Sequence, residues 1–178
     1  MYIWIALDVS RSLRFVRDVC LEKNRELLLN EVAFSLPQHI SLKISFSVDN
    51  RIADEVISVL SDFFKAQTSF ELDTPSPEVF GSILWLKFQN NSRLKSLHEE
   101  LDILLLNRFG VPRHTLDKSF LFHSTLFMDD SKGLKEMYEF LKEIELPTKV
   151  CVDGFFIGTS ESGKPGEYSV LKQIPFKK

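Results

Sequence analysis

Apolar residues along the chain switch between the two-residue period of a β-strand and the longer period of an amphipathic helix. Residues 2–9 (YIWIALDV) are rich in β-branched and aromatic side chains, and the Ser10 that follows favours the start of a helix. In the first half the pattern predicts strands over 2–9, 32–47 and 68–73, with helices over 11–28 and after Asn50. The predicted order is therefore strand, helix, strand, helix, strand.

The second half of the chain repeats that order. It predicts strands over 82–89, 119–128, 149–158 and 168–175, with a helix over 91–107 and a second one capped by Asp130 or Ser131. The segment 74–81 (TPSPEVFG) contains two prolines and is expected to be the turn between the halves. We therefore expect a single domain over residues 1–178, built as two duplicated lobes at about 1–74 and 82–178. An exchange of terminal strands between the lobes stays open.

The charge of the chain limits the partners it can bind. The 178 residues carry a formal net charge of −3, whereas proteins that follow a long nucleic acid present a strongly basic surface. A nucleic-acid substrate would therefore be a nucleotide or a short RNA gripped at its end. No apolar run is long enough for a membrane span and no signal peptide is evident. These observations favour a monomeric cytoplasmic protein.

The cysteines give no support to zinc or thiol redox chemistry. Cys20 and Cys151 are far apart, lie inside apolar patterns and form no CxxC pair. One bridge between them is conceivable, but buried thiols in a reducing compartment are the better interpretation. Neither a metal nor a cofactor is expected.

Two short motifs carry the candidate chemistry. Alternate side chains of a strand share a face, so His39, Ser41 and Lys43 should lie on one face of their strand. His123 and Thr125 should likewise share a face of theirs. A single histidine two residues before a hydroxyl has little meaning, and for either histidine alone ordinary hydrogen bonding is the better explanation. Two copies at matching places in two matching halves favour catalysis.

In-line displacement at phosphorus explains why such a pair would be useful. A neutral imidazole can take the proton of the nucleophile while an imidazolium protonates the leaving oxygen. The hydroxyls of Ser41 and Thr125 can donate to the non-bridging phosphate oxygens. The sequence does not assign base and acid between His39 and His123. Lys43 stays open between a phosphate contact and an exposed strand lysine.

Several aromatic and histidine residues have weaker assignments. Tyr168 and Phe80 are candidates for stacking on a base, although core packing is the default for Phe80 in a chain with 16 phenylalanines. His98 is expected on the solvated face of its helix, beside two glutamates. Trp4 and Trp85, on corresponding strands, are expected in the core.

The motifs His39-Ile40-Ser41-Leu42 and His123-Ser124-Thr125-Leu126 resemble the paired H-x-[ST]-x motifs of the 2H phosphoesterase superfamily. That group includes the bacterial 2′–5′ RNA ligase-like proteins and the cyclic nucleotide phosphodiesterases. The resemblance implies an α+β fold of two pseudo-two-fold lobes, with the active site in a groove between two antiparallel sheets. It also places Tyr168 near the mouth of that groove. Met128 departs from the pattern, since many relatives carry Arg or Tyr there.

Two functions compete at this point. The first is a metal-independent phosphodiesterase that opens 2′,3′-cyclic phosphates or cleaves 2′–5′ or cyclic oligonucleotide linkages. The second is a nucleotide or RNA-end binding protein that does not turn its ligand over. The presence of both histidines and both hydroxyls favours the enzyme, whereas the exact substrate, the bond that breaks and any RNA ligation stay open.

Overall fold

The computed structural model describes residues 1–89, 91–115, 120–128, 132–164 and 166–177. The fold is α+β, as predicted, with helices packed against antiparallel sheets. The helices are α1 (Arg14–Glu26), α2 (Ala53–Lys65), α3 (Ser92–Phe109) and α4 (Gly133–Lys142). The strands are β1 (Tyr2–Asp8), β2 (His39–Ser47), β3 (Phe70–Asp73), β4 (Ser76–Phe80), β5 (Ile83–Lys87), β6 (His123–Met128), β7 (Lys149–Val152), β8 (Gly154–Ser160) and β9 (Ser169–Pro175).

Three antiparallel sheets organise these strands. The first sheet has the order β2-β1-β8-β9, the second has the order β4-β5-β6, and β3 pairs with β7 in a small third sheet. The C-terminal strands β8 and β9 therefore extend the sheet that begins with the N-terminal strand. Since β3 pairs with β7 as well, strands from both halves of the sequence meet in two of the three sheets.

A single contiguous apolar cluster joins the two larger sheets to the helices. It includes Ile3, Ile5 and Leu7 of β1, which alternate with residues that face the other side of the sheet. Leucines of α3 enter the same cluster at helical spacing. The side chain of Asn91 caps α3 by accepting hydrogen bonds from two backbone amides, and Gly110 ends it with a left-handed φ of 67°.

Three predicted boundaries were wrong. The strand predicted over 32–47 begins only at His39, and a short 3₁₀ helix, Val32–Phe34, precedes it. The segment 74–81 is not a simple turn, because β4 runs through it and pairs with β5. Pro77 is tolerated there because β4 is the edge strand of its sheet. The predicted strand 149–158 is two strands, β7 and β8, which separate at Asp153 where the chain passes from one sheet to another. No helix within the described ranges is both long and apolar enough to cross a bilayer.

Candidate active site

The two histidine strands lie next to one another although they belong to different sheets. His39 opens β2 and is the cross-strand partner of Asp8 on β1. His123 opens β6 and is the cross-strand partner of Lys87 on β5. Both histidines are half-buried, and the charge of His123 lowers the pKa of His39. The structure therefore brings the two predicted histidines within electrostatic range of each other.

Each histidine strand has an irregularity just after its hydroxyl residue. On β2 the register shifts between the pair Ser41–Ala6 and the pair Lys43–Ile5. The side chains of Leu42 and Lys43 are consequently both buried on the core side. On β6 the register shifts after Thr125, which is paired with Trp85. There Leu126 and Phe127 are both buried in the core in the same way. Ser41 and Thr125 keep the face of their histidines.

A backbone carbonyl fixes the orientation of each imidazole. His39 Nδ1 lies 2.7 Å from the carbonyl oxygen of Pro37, and His123 Nδ1 lies 2.7 Å from the carbonyl oxygen of Leu121. In both cases the carbonyl belongs to the residue two positions earlier. A carbonyl oxygen can only accept, so the neutral rings carry their proton on Nδ1. Nε2 is left on both rings as the nitrogen available for proton transfer.

The surroundings lower the pKa of both imidazoles. Burial lowers the pKa of His39 to about 4, the Pro37 carbonyl raises it, the charge of His123 lowers it and the charge of Asp8 raises it. Burial also lowers the pKa of His123, against the effect of the Leu121 carbonyl. At neutral pH the free protein therefore presents His39 as a neutral base.

A tryptophan packs against each histidine. The rings of Trp4 and His39 meet edge to face with centroids 4.5 Å apart, and those of Trp85 and His123 lie 4.1 Å apart. Trp4 Nε1 donates to Ser41 Oγ at 3.3 Å. Because the hydroxyl oxygen accepts this bond, its own proton is free to be donated to a ligand. Both tryptophans are buried as predicted, yet each also forms a wall of the candidate site.

A buried hydrogen bond connects the two histidine strands. Ser124 Oγ donates to Gln38 Oε1 at 2.7 Å, and both side chains are almost completely buried. Gln38 directly precedes His39, and Ser124 directly follows His123. The bond therefore fixes the separation of the two histidine backbones.

Lys43 does not share the face of His39 and Ser41, so that prediction was wrong. Its ammonium group lies 2.7 Å from the carboxylate of Asp102, and its side chain is 2% exposed. Arg113 Nε contacts the same carboxylate at 3.0 Å. The regular two-residue alternation would have placed Lys43 in the groove, but the irregularity after Ser41 turns it to the opposite side.

His98 lies beside the same Asp102 carboxylate that Lys43 and Arg113 contact. The prediction that it lies on a solvated face was therefore also wrong. It is 5% exposed. Its Nδ1 lies 2.6 Å from the carbonyl oxygen of Leu42, and its Nε2 lies 3.8 Å from Asp102. The contact to Leu42 supports β2 at the irregularity that separates Ser41 from Lys43.

The two candidate stacking residues pack beside different tryptophans. Phe80 is 62% exposed, so the default expectation of core packing was wrong. Its ring stacks on Trp85 with centroids 5.1 Å apart, which continues the aromatic contact made with His123. Tyr168 packs against the cluster of Trp4, Ala6 and Phe156 and donates its hydroxyl to the Gly163 carbonyl at 3.1 Å.

The position of Met128 supplies no positive charge to the site. It ends β6 opposite Ile83, and its carbonyl accepts a hydrogen bond of 2.8 Å from the Asn30 side chain.

In the part of the chain that the structure describes, no group of three or more His, Cys, Asp or Glu side chains has the arrangement of a metal site.

The sequence profile of the 2′-5′ RNA ligase superfamily matches residues 15–162. That range includes both histidine motifs and most of the strands and helices described above. The chain belongs to the 2′-5′ RNA ligase superfamily. This match confirms the resemblance to the 2H phosphoesterases. A comparison with curated proteins gives no match.

Solved structures of similar proteins agree with this fold over nearly the whole chain. TT0787 of Thermus thermophilus superimposes with a TM-score of 0.63 at 16% identity, covering 98% of this chain and 97% of that one. LigT of E. coli superimposes with a TM-score of 0.57 at 17% identity, covering 99% and 98%. A further structure, described as a phosphoesterase, gives 0.61 at 16% identity with the same coverage of 99% and 98%. The predicted α+β class with antiparallel sheets is therefore confirmed, and the duplication of the two halves stays a prediction.

The sequence patterns did not identify three residues that lie next to the two histidine motifs in the folded protein. Asp8 and Lys87 face the histidines only because of strand pairing, and Gln38 meets Ser124 across 86 positions of the chain. None of these pairings has a local signal. The cross-strand position of Asp8 would have followed from pairing the strand 2–9 with the strand 32–47.

Proposed function

We propose that the protein is a metal-independent phosphodiesterase that acts on a nucleotide or RNA-end substrate, either a 2′,3′-cyclic phosphate or a 2′–5′ or cyclic oligonucleotide linkage. The observation that carries the proposal is the matched orientation of the two imidazoles. Both have Nδ1 on the carbonyl two residues earlier, so both offer Nε2 to the same reaction. The charge of Asp8 raises the pKa of His39, whereas the pKa of His123 is set by burial and by the Leu121 carbonyl, so the electrostatic surroundings of the two rings are unequal.

The proposed hydrolysis needs one proton acceptor and one proton donor. His39 Nε2 takes a proton from the attacking water as the new P–O bond forms. The bond from phosphorus to the leaving oxygen breaks, and the His123 imidazolium gives that oxygen its proton. Asp8, opposite His39, then stabilises the imidazolium that His39 has become. An anionic phosphate beside His123 favours the protonated form that this role requires.

The two hydroxyls complete the phosphate contacts. Ser41 accepts from Trp4, so its proton points to a non-bridging phosphate oxygen. Thr125 shares the face of His123 and supplies the corresponding contact from the other strand. Preorganised donors of this kind stabilise the charge that develops on phosphorus oxygens in the transition state. Lys43 has no part in this contact, because it is paired with Asp102 on the core side.

Relatives with the same fold support the choice of substrate class. Structures of E. coli LigT, with TM-scores of 0.57 and 0.58 to this chain, contain 3′-AMP and ATP. We therefore expect a nucleoside phosphate in the groove, with Phe80 and Tyr168 as the residues that stack on its base. No resident metal or cofactor takes part in the proposed steps.

A substrate panel tests this function. Purified protein is incubated in EDTA with the four 2′,3′-cyclic mononucleotides and with 2′–5′ and 3′–5′ dinucleotides, and the products are separated by chromatography. We expect turnover of at least one cyclic or 2′–5′ substrate that is abolished in the double variant His39→Ala/His123→Ala. Binding of these ligands with no turnover by the wild type would instead establish the non-catalytic binding protein. Turnover that EDTA abolishes and one divalent cation restores would contradict the mechanism.

A further inference from the structure

A groove lined by three arginines lies beside the His39 end of the site. One wall of the groove carries Arg11, which precedes α1, and Arg14 and Arg17 of its first turn. The opposite wall is the segment 34–37. The groove has a volume of about 640 Å³. We call it the arginine groove. On a chain of net charge −3, such a concentration of guanidinium groups is unexpected as a simple solvated surface.

The charges of the groove are only partly neutralised by the protein. Asp18 lies 3.9 Å from Arg14 and 3.4 Å from Arg17. Arg11 is close enough to Asp153 to lower the pKa of that carboxyl, which burial and the charge of Asp8 raise. Three arginines and one carboxylate, Asp18, therefore line the groove, while Asp8 and Asp153 share a neighbouring pocket with Arg11. Arg14 is 83% exposed at its side chain, and exposed ion pairs of this kind are weak enough for the arginines to turn to another anion.

Arg17 holds the opposite wall of the groove in place through two contacts with Phe34. Arg17 Nη2 donates to the Phe34 carbonyl at 3.0 Å, and its guanidinium carbon lies 5.9 Å from the centre of the Phe34 ring. Arg11 and Arg14 are the more exposed of the three cations. Since Arg17 also supports the segment before β2, it is not the residue to change first in an experiment.

The arginine groove adjoins the His39 side of the candidate active site. Pro37 lines the groove and its carbonyl oxygen holds His39 Nδ1. Leu36 lines the groove and packs against the cluster of Trp4, Ala6 and Phe156, which is on the same side of the first sheet as His39 and Ser41. On the α1 side the groove ends at Ser10, which donates to Asp8, the cross-strand partner of His39. A chain leaving His39 on this side would enter the groove.

We propose that the arginine groove binds the sugar–phosphate backbone of an oligonucleotide whose terminal phosphodiester lies between the two histidines. This inference rests on the proposed function and specifies its substrate as a short strand in preference to a free mononucleotide. Guanidinium groups match phosphate in both charge and geometry, and a row of them suits the regular spacing of backbone phosphates. Three arginines serve only a few phosphates, so the strand is short.

The test compares the double variant Arg11→Gln/Arg14→Gln with a control, Arg108→Gln. Arg108 is an exposed arginine of α3, which packs against β2 from the core side. One probe is a fluorescent five-nucleotide RNA with a 2′,3′-cyclic phosphate end. A second has the same sequence with methylphosphonate links, which carry no charge, and a third is the cyclic mononucleotide. Binding is measured by anisotropy and cleavage by product analysis, at several salt concentrations.

We expect the double variant to lower the ratio of kcat/KM for the RNA to kcat/KM for the mononucleotide by about tenfold, mainly through KM. The slope of log affinity against log salt for the RNA should become shallower by about 0.7 for each phosphate that the variant no longer binds. The methylphosphonate probe should bind the wild type as weakly as the RNA binds the double variant. Arg108→Gln should match the wild type with every probe.

The binding measurement separates failure of this proposal from failure of the proposed function. If the wild type cleaves none of the probes, the phosphodiesterase proposal fails, and the anisotropy data still decide whether the groove binds RNA. Equal RNA affinity and equal salt slopes for wild type and Arg11→Gln/Arg14→Gln would overturn the groove assignment. An equal loss in Arg108→Gln would overturn it too, because the effect would then come from net charge.

Discussion

Ser124 Oγ donates a buried hydrogen bond of 2.7 Å to Gln38 Oε1. Each partner is the chain neighbour of one histidine, so this bond links the two halves of the candidate site more directly than any contact of the imidazoles themselves. Ser124→Ala should leave a buried amide oxygen without its donor and cost about 1–3 kcal/mol of unfolding free energy. The exposed Ser58→Ala should change stability by no more than about 0.5 kcal/mol.

A double-mutant cycle tests whether this bond also sets the distance between the histidines. Ser124→Ala, Gln38→Met and their combination are compared by urea unfolding and by turnover. The coupling energy should be about 1 kcal/mol, because residues in direct contact are not additive. Turnover should fall in each single variant with the fold intact. Strictly additive effects on stability would show that the bond does not join the two strands energetically.

Acid should destabilise the protein through His39. Its pKa is about 4 in the folded chain, against about 6.5 in an unfolded one. Between these values the unfolded chain binds more protons, so the free energy of unfolding falls as pH falls through this window. From pH 7.5 to pH 4.5 the contribution of His39 is about 2–3 kcal/mol.

The measurement is urea unfolding of the wild type and of His39→Asn at pH 7.5 and pH 4.5. The variant keeps a polar side chain but has no titratable ring, so its loss of stability over this range should be smaller by that amount. Equal losses in the two proteins would mean that His39 is not kept neutral by its surroundings.

The two tryptophans should respond differently to the same change. Trp4→Phe removes the indole donor to Ser41 and should lower turnover by about tenfold, since one preorganised hydroxyl loses its orientation. The buried Trp85 Nε1 has no hydrogen-bond partner among the described residues. Trp85→Phe should therefore cost less stability than an ordinary large-to-small change of a buried side chain, because an unsatisfied donor is removed together with the lost packing. A larger stability loss for Trp85→Phe than for Trp4→Phe would contradict this difference.

Gly158 makes room for the Trp4 ring. The two residues are cross-strand partners, and a Cβ at position 158 would overlap that ring and lie 2.8 Å from the Ser169 carbonyl oxygen. Gly158→Ala should displace Trp4 from His39 and Ser41 and lower kcat, and it should also lower the free energy of unfolding because the backbone at Ser169 has to shift. Gly81→Ala is no control, because its φ is 59°. Thr159→Ser on the same strand is a better one, and it should keep normal turnover.

Much of this site could be predicted from the sequence because it depends on local periodicity. Alternation along a strand places Ser41 with His39 and Thr125 with His123, and the paired motifs indicate acid–base chemistry at phosphorus. The helices follow from apolar spacing. These features depend on residues close to one another in the chain.

The rest depends on contacts between distant residues. Lys43 leaves the groove face because the pairing with β1 is irregular, and His98 supports that irregularity from a helix 56 positions away in the chain. The alternation of side chains along a regular strand does not predict such a shift in the pairing register. Pro77 suggested a turn, but it lies on the edge strand β4. That strand can be recognised only from its pairing with β5.

Turnover by histidine variants tests the two-histidine mechanism most directly. On the best substrate of the panel, His39→Ala and His123→Ala are each expected to lower kcat by about 10²–10⁴-fold, the usual contribution of a positioned acid or base. The combined variant should be little slower than either one, because the two residues act as a unit. The pH profile of the wild type should be bell-shaped, since only a pair with one proton is productive. If folded His39→Ala turned the substrate over at nearly the wild-type rate, the two-histidine account would be wrong.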